Sequence, residues 1–173
     1  MAGAGDHFRF PDGSTYVVNR PSADSDGDLV EMEFVLPPGC VPPPPHIHPH
    51  QVESYKVLEG SIDILIDRDW QTLGPGESAS VPIGVSHTFR NSSENVVRVQ
   101  NWHEPAMRFE EFIETMSVNM AKAGVKRKRD PRVLIYMSMG MIEFKETLTP
   151  SRKRELLPMK LMAAVGRLLK MGK

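Results

Sequence analysis

Residues 42–60 read PPPPHIHPHQVESYKVLEG, and the histidines in this stretch decide how the rest of the sequence is interpreted. His46 and His48 are two residues apart, so in an extended strand both imidazoles point to one side, about 7 Å apart at Cα. Glu53 has the opposite parity in a continuous strand. Pro49 interrupts that strand and lets a new one begin with Glu53 facing the same interior. The stretch therefore predicts a cluster of two imidazoles and a carboxylate.

A fourth donor must come from elsewhere in the chain, and the clearest candidate is His87 in the segment GVSHTF. Three neutral imidazoles and one carboxylate suit Fe, Mn, Ni, Cu or Zn better than Mg or Ca. A six-coordinate ion held by four residues keeps two positions open for substrate, water or dioxygen. We therefore expect one divalent transition metal ion as cofactor, and Glu53 is the candidate catalytic base.

Short runs of β-favouring residues, separated by turn residues, extend from Ser14 to Trp102. They predict about seven or eight strands, with a hairpin around Glu59 and Gly60. No segment of this region has helical periodicity. An antiparallel sandwich or barrel is therefore favoured over alternating strands and helices.

Two spaced motifs in this region resemble those of the cupin superfamily. The first is carried by Gly39, His46, His48, Glu53 and Gly60. The second is carried by Gly76, Pro82, Gly84, His87 and Asn91. Gly39 and His46 are separated by one residue more than the motif has, and the extra residue falls in the proline run. The resemblance covers residues 28–103 and implies an all-β jelly-roll, or double-stranded β-helix, barrel with a metal bound by His46, His48, Glu53 and His87.

The composition changes near Pro105 and divides the chain into two regions. Residues 1–104 carry 6 Lys and Arg against 15 Asp and Glu, whereas residues 105–173 carry 15 against 7. Of the 11 methionines, 9 lie at or beyond Met107. We expect a cupin β-barrel domain at residues 1–104 and an α-helical extension at residues 105–173.

Three helices are predicted in the extension. The first has apolar residues at helical spacing, namely Phe109, Phe112, Ile113, Met116 and Met120. Asp130 and Pro131 predict the start of the second, which spans an apolar segment at residues 133–144. The third has an apolar stripe formed by Leu157, Leu161, Ala164, Val165 and Leu168. We expect these apolar faces to pack on the barrel or on a second subunit.

The wall of the metal pocket is predicted from strand parity. Tyr55 follows Glu53 on one face, Phe89 follows His87, and Ile64 belongs to an apolar strand face. In VVRVQNW, either the valines or Arg98 and Gln100 face inward, and the second choice would suit a carboxylate substrate. The candidate pocket residues are Tyr55, Phe89, Ile64, Arg98 and Gln100, and they favour an apolar or aromatic substrate. His103 is expected to be an ordinary surface histidine.

These inferences favour a metal-dependent small-molecule enzyme, with a dioxygenase-like reaction as the first hypothesis. The alternative is a non-catalytic cupin module that holds a small-molecule ligand at the same site. The fold does not decide between them, because function depends on the site and not on the fold.

Composition also suggests partners and location. The single cysteine, Cys40, excludes an intrachain disulfide and favours a reducing compartment. The first ten residues lack a basic region followed by an apolar stretch, so we expect a cytoplasmic protein. The basic cluster Lys126–Arg129 has no interleaved aromatic residues, so no nucleic acid is expected. We expect a homodimer, and we rank membrane association behind a structural role for the basic helices.

Overall fold

The structure is a computed structural model that describes residues 2–172, so Met1 and Lys173 of the two predicted regions lie outside the described residues. The strands of this part of the chain are β1 (His7–Arg9), β2 (Thr15–Arg20), β3 (Val30–Leu36), β4 (His46–Ile47), β5 (Val52–Glu59), β6 (Ile62–Ile66), β7 (Asp69–Leu73), β8 (Ser78–Val81), β9 (His87–Arg90), β10 (Val97–Glu104) and β11 (Thr149–Pro150). The helices are α1 (Phe109–Lys122), α2 (Pro131–Glu143) and α3 (Leu156–Leu168).

The strands form two antiparallel sheets. One has the order β1-β2-β3-β10-β5-β8 and the other has the order β11-β4-β9-β6-β7. Their inner faces meet, since the ring centroid of Phe89 lies 5.9 Å from that of Phe34 and 6.0 Å from that of Tyr55. The antiparallel β structure predicted for the first region is confirmed, with more strands than expected.

Alternating side chains build the core between the sheets. Every second residue of β3 from Val30 to Leu36 is buried. In β10 the buried residues are Val97, Val99, Asn101 and His103. Because successive side chains on a strand point to opposite faces, the inner face of β10 carries both apolar and polar groups into the interior.

The predicted hairpin around Gly60 is wrong. β5 pairs with β10 and β8, whereas β6 pairs with β7 and β9 in the other sheet. Both edges of β5 are already occupied, so the chain crosses to the second sheet at Gly60. This residue has a φ of 76°, and a Cβ there would lie 2.9 Å from the carbonyl oxygen of Val96. The crossing therefore requires glycine both for its conformation and for the close approach.

The first two helices form as predicted. The apolar stripe of α1 is buried at Phe109, Phe112, Ile113, Met116 and Met120. Asp130 caps α2, because its side chain accepts a hydrogen bond from the backbone N–H of Arg132 at 2.9 Å, and Pro131 is the first helical residue. Hydrogen bonds from Arg132 also lower the pKa of Asp130 to about 2.

The extension contributes a strand that the sequence analysis missed. β11 pairs with β4, with Thr149 opposite Ile47 and Pro150 opposite His46. A strand of two residues has no periodicity to detect, and the pattern indicated only that Pro150 ends a helix. The helical region is thus joined to the five-stranded sheet beside His46.

The expected packing of the α3 stripe is wrong. Its large apolar residues face outward and are exposed at Leu157 (67%), Leu161 (61%), Val165 (47%) and Leu168 (82%). The opposite face of α3, with Met159, Ala163 and Gly166, is the buried one. Periodicity identified the helix but not the face that packs, because α3 is apolar on both sides. Within residues 2–172, no helix is both long enough and apolar enough to cross a membrane.

We predict that Gly140→Val destabilises the fold. A Cβ at Gly140 would lie 2.5 Å from Sδ of Met116 and 2.9 Å from Cε2 of Phe112, where α2 crosses α1. Overpacking of this kind lowers the free energy of unfolding by about 1–3 kcal/mol. Thermal unfolding measures the effect. Leu134→Val, on the exposed side of the same helix, is the control and should change the melting temperature little. Equal melting temperatures for the two variants would contradict the tight contact.

Candidate metal centre

Four residues meet between the two sheets. His46 comes from β4, His48 follows β4 directly, Glu53 comes from β5 and His87 from β9. One ligand atom from each lies within 4.8 Å of all the others, and all four side chains are buried. The bend at Pro49 separates β4 from β5 and lets Glu53 face the same interior as the histidines. The structure thus brings together the four residues that the sequence proposes as ligands.

The three histidines are oriented by backbone carbonyl groups. Nδ1 of His46 lies 3.0 Å from the oxygen of Pro44, and Nδ1 of His87 lies 3.0 Å from that of Val85. Nδ1 of His48 lies 2.6 Å from the oxygen of Thr147. A carbonyl oxygen only accepts hydrogen bonds, so each Nδ1 carries the proton and donates. Each Nε2 then keeps its lone pair for the interior, as in histidines that bind metals.

These lone pairs meet a carboxylate. Nε2 of His48 lies 3.1 Å from Oε2 of Glu53, and Nε2 of His87 lies 2.7 Å from the same oxygen. Neutral imidazoles with Nδ1 protonated would present only lone pairs to this oxygen, and that contact is repulsive. Nε2 of His87 also has no hydrogen-bond partner. A positive charge must therefore lie among these atoms, as a proton or as a cation, and the donor set fits a transition metal ion.

Burial and neighbouring charges set the protonation of the cluster. Burial and repulsion from His87 and His48 hold the pKa of His46 well below its ordinary value. Burial raises the pKa of Glu53, but His103 and hydrogen bonds from His48 and His87 outweigh it, so this pKa is well below the ordinary value. Burial lowers the pKa of His87, but the hydrogen bond and charge of Glu53 leave it raised. A neutral imidazole and an anionic carboxylate are the forms that bind metal.

Comparison with known proteins identifies the domain that holds this cluster. Residues 32–103 match the family model described as "Cupin domain". The chain contains a cupin domain, and so belongs to the cupin superfamily. This span includes all four clustered residues and ends before the helices begin.

One curated relative supports the same assignment. The chain is 36% identical over 52 residues to the "HTH-type transcriptional regulator SutR" of Escherichia coli (strain K12). The match covers 28% of this chain and 29% of that protein. The chain therefore spans less than a third of the length of this relative.

Three solved structures resemble the cupin domain in fold. They are TT1209 from Thermus thermophilus (23% identical, TM-score 0.50, 56% of this chain and 87% of that one), KdgF from Halomonas sp. (18%, 0.51, 58% and 87%) and an RmlC-like cupin from Shewanella frigidimarina NCIMB 400 (17%, 0.51, 61% and 88%). Identity this low shows the fold alone.

His103 is a residue of the cupin domain that the sequence analysis misplaced. It is fully buried, and its Nε2 lies 3.6 Å from Oε1 of Glu53. Its ring stacks on Phe109 of α1 with the centroids 3.5 Å apart, and neither ring nitrogen has a hydrogen-bond partner. Burial holds its pKa well below the ordinary value. The available signal was parity, since His103 shares the inward face of β10 with Val97 and Val99.

Asn101 is a second residue that the sequence analysis did not select. Its Nδ2 donates to Oε1 of Glu53 at 2.8 Å and lies 3.3 Å from the carbonyl oxygen of Ser54. The hydrogen bond holds Oε1, while Oε2 faces His48 and His87. Asn101 therefore sets the direction in which the carboxylate points.

An apolar cavity with a volume of about 130 Å³ opens beside the cluster and reaches His46 and Glu53. Its wall combines residues of the cupin domain with residues of the helices, including Phe34, Phe89, Phe109, Phe112, Met137 and Met141. The sequence analysis placed the pocket wall on strands alone. The helices in fact form one side of it.

The predicted pocket residues differ in their positions. Phe89 lines the cavity, whereas Tyr55 and Ile64 are buried behind it in the core. Arg98 and Gln100 are not brought to the site, because the valines of β10 take the inward positions. Arg98 instead donates to Glu33 at 2.7 Å, and Gln100 donates to Glu31 at 2.6 Å, on the outer face of the sheet.

We predict that the purified protein carries about one divalent transition metal ion per chain, and that His48→Ala or His87→Ala removes most of it. Each change deletes one of the Nε2 donors beside Glu53. Elemental analysis of protein prepared without a histidine tag measures the effect. His50→Ala is the control, because His50 is exposed and contacts Glu146 at the surface. Full metal content in both ligand variants would exclude this donor set.

We also predict that Asn101→Leu weakens metal binding while the fold persists. The change keeps the approximate size but removes the donor to Glu53, and losses of about 10–100-fold in metal affinity are typical for such supporting groups. Competition with a chelator measures the affinity. Gln100→Leu, on the opposite face of β10, should leave it unchanged. An unaltered affinity in Asn101→Leu would mean that the orientation of Glu53 does not depend on Asn101.

Proposed function

We propose that the protein is a metal-dependent enzyme that acts on an apolar or aromatic small molecule, with an oxygenase-type reaction as the first hypothesis. The observation that carries this proposal is the position of the His and Glu cluster at the end of an apolar cavity. The proposal includes a jelly-roll barrel at residues 1–104, a helical extension at residues 105–173 and a cytoplasmic homodimer.

In this proposal His46, His48, Glu53 and His87 hold one divalent ion of Fe, Mn, Ni, Cu or Zn. The ion, when bound, supplies a Lewis acid beside the cavity and, where it is redox-active, a centre for electron transfer. The carbonyl groups of Pro44, Val85 and Thr147 keep the three imidazoles in the orientation that the ion needs. Asn101 orients the carboxylate.

The cavity wall supports an apolar substrate. Apart from Glu53, the charged residues that line it are Asp12 and Lys128. Both are already hydrogen-bonded, since Asp12 accepts from the backbone N–H of Val41 at 2.8 Å and Lys128 donates to the carbonyl oxygen of Gly39 at 2.6 Å. Aromatic rings of Phe34, Phe89 and Phe109 supply much of the remaining surface. Such a wall binds apolar groups through burial and leaves orientation to the metal end.

Glu53 has two roles in this proposal, as metal ligand and as base. Its low pKa keeps it ionised, which suits a ligand. The same low pKa makes it a weak base near neutral pH, because an effective base has a pKa near the working pH. The ligand role is therefore the better supported of the two.

The alternative function is a non-catalytic module that binds a small molecule. The observation that favours it is the relative from Escherichia coli, whose name describes a transcriptional regulator and not an enzyme. In such a module the cavity and the metal would hold a ligand without turning it over.

Oxygen uptake distinguishes the two functions. We expect the metal-loaded protein to consume dioxygen above background with at least one member of a panel of phenolic and dicarbonyl compounds. Glu53→Gln should lower the rate by about 10²-fold or more, whether through lost metal or lost basicity. Glu146→Gln is the control, because Glu146 lies at the surface and contacts His50. Thermal stabilisation by a compound without any turnover would favour the binding module instead.

A further inference from the structure

Helix α3 presents an apolar surface that nothing in the described chain covers. The surface, here called the outer stripe, consists of Leu157, Leu161, Val165 and Leu168. These residues follow one another at steps of four, four and three, so they lie along one side of the helix over its whole length. Between 47% and 82% of each is exposed. Contiguous exposed apolar surface of this kind marks an interaction site.

Close packing on the other side holds the outer stripe outward. Gly166 lies where a Cβ would collide with Sδ of Met139 and with Cγ2 of Ile135 in α2. Met159 and Ala163 are buried along the same side. Larger residues of the outer stripe do not fit into the space that Gly166 leaves against α2. The helix therefore cannot rotate to bury its leucines without separating from α2.

Basic residues surround the outer stripe. The segment from Arg152 to Lys170 contains six lysines and arginines, at 152, 153, 154, 160, 167 and 170, and one acidic residue, Glu155. All six basic residues are exposed. The partner must therefore accept apolar side chains and also carry negative charge. A second copy of α3 meets only the first requirement, because self-pairing would bring the two basic borders together.

We propose that the outer stripe of α3 docks on the surface of an anionic phospholipid bilayer. Leucines enter the boundary between headgroups and acyl chains, while the lysines and arginines contact the anionic headgroups. A helix of 13 residues is about 20 Å long, so α3 lies in the plane of the surface and does not cross it. The excess of acidic residues in residues 1–104 favours an orientation with the cupin domain turned away from the bilayer. This proposal does not depend on the metal site or its reaction.

Cosedimentation of the full-length protein with vesicles tests the proposal. We expect binding to vesicles of phosphatidylcholine mixed with phosphatidylglycerol, little binding to phosphatidylcholine alone, and release by salt. The double variant Leu157→Gln/Leu161→Gln should bind about tenfold less or weaker still, since it removes buried apolar area without changing the charge. Leu58→Gln, at a leucine that is 40% exposed on β5, should bind like the wild type. Circular dichroism and thermal unfolding establish that each variant is folded.

Three outcomes would overturn the proposal. The first is no binding of the wild type to anionic vesicles, and the second is equal binding by the wild type and a folded double variant. The third is a wild-type dimer in solution that the double variant converts to a monomer, with no vesicle binding by either. This third result would assign the outer stripe to a second copy of the chain.

Discussion

The rest of the structure depends on the burial of one carboxylate. Glu53 is 2% exposed between two sheets, where an uncompensated negative charge would be very costly. The surrounding elements provide the compensation, with Asn101 from β10 donating to one oxygen while His48 and His87 approach the other. The two sheets are thus held in register around this group, because each contributes a part of its environment. A change in either sheet that moves these residues alters the charge balance at the centre.

The helical extension is part of the same arrangement. The carbonyl group of Thr147, which follows α2, orients His48, and β11 pairs beside His46. Phe109 of α1 stacks on His103, which lies beside Glu53. The extension also forms one side of the apolar cavity. The donors therefore come from the cupin domain, while the helices orient one donor and determine much of what can reach it.

Local patterns predicted which residues share a face, but not which face is covered. Parity correctly grouped Glu53 with Tyr55 and Val57, and the helical period correctly marked the buried side of α1. The same patterns could not choose between the faces of β10, so Arg98 was kept as a pocket candidate and His103 was assigned to the surface.

The errors in the fold have the same origin. β5 and β6 have the pattern of a hairpin, yet they belong to different sheets because β10 and β8 already occupy the edges of β5. α3 is apolar on both sides, and its packing side depends on the space at Gly166. Strand neighbours and helix orientation depend on contacts between segments distant in sequence, which periodicity does not report. The spaced ligand motifs were the exception, because their residue types are constrained by chemistry as well as by packing.

The site is organised by the folded chain and does not need an ion to assemble it. Three backbone carbonyl groups from separate segments fix the imidazoles, and the prolines before His46 limit the freedom of the chain that carries it. A large apolar core between the sheets, built from residues such as Phe34, Tyr55 and Ile62, exists apart from the cluster. In domains that fold only with their metal, the free energy of binding is consumed in ordering the chain. Here the ordering is already supplied by burial and backbone hydrogen bonds, so the affinity for an ion depends mainly on how well its charge and geometry match the four donors.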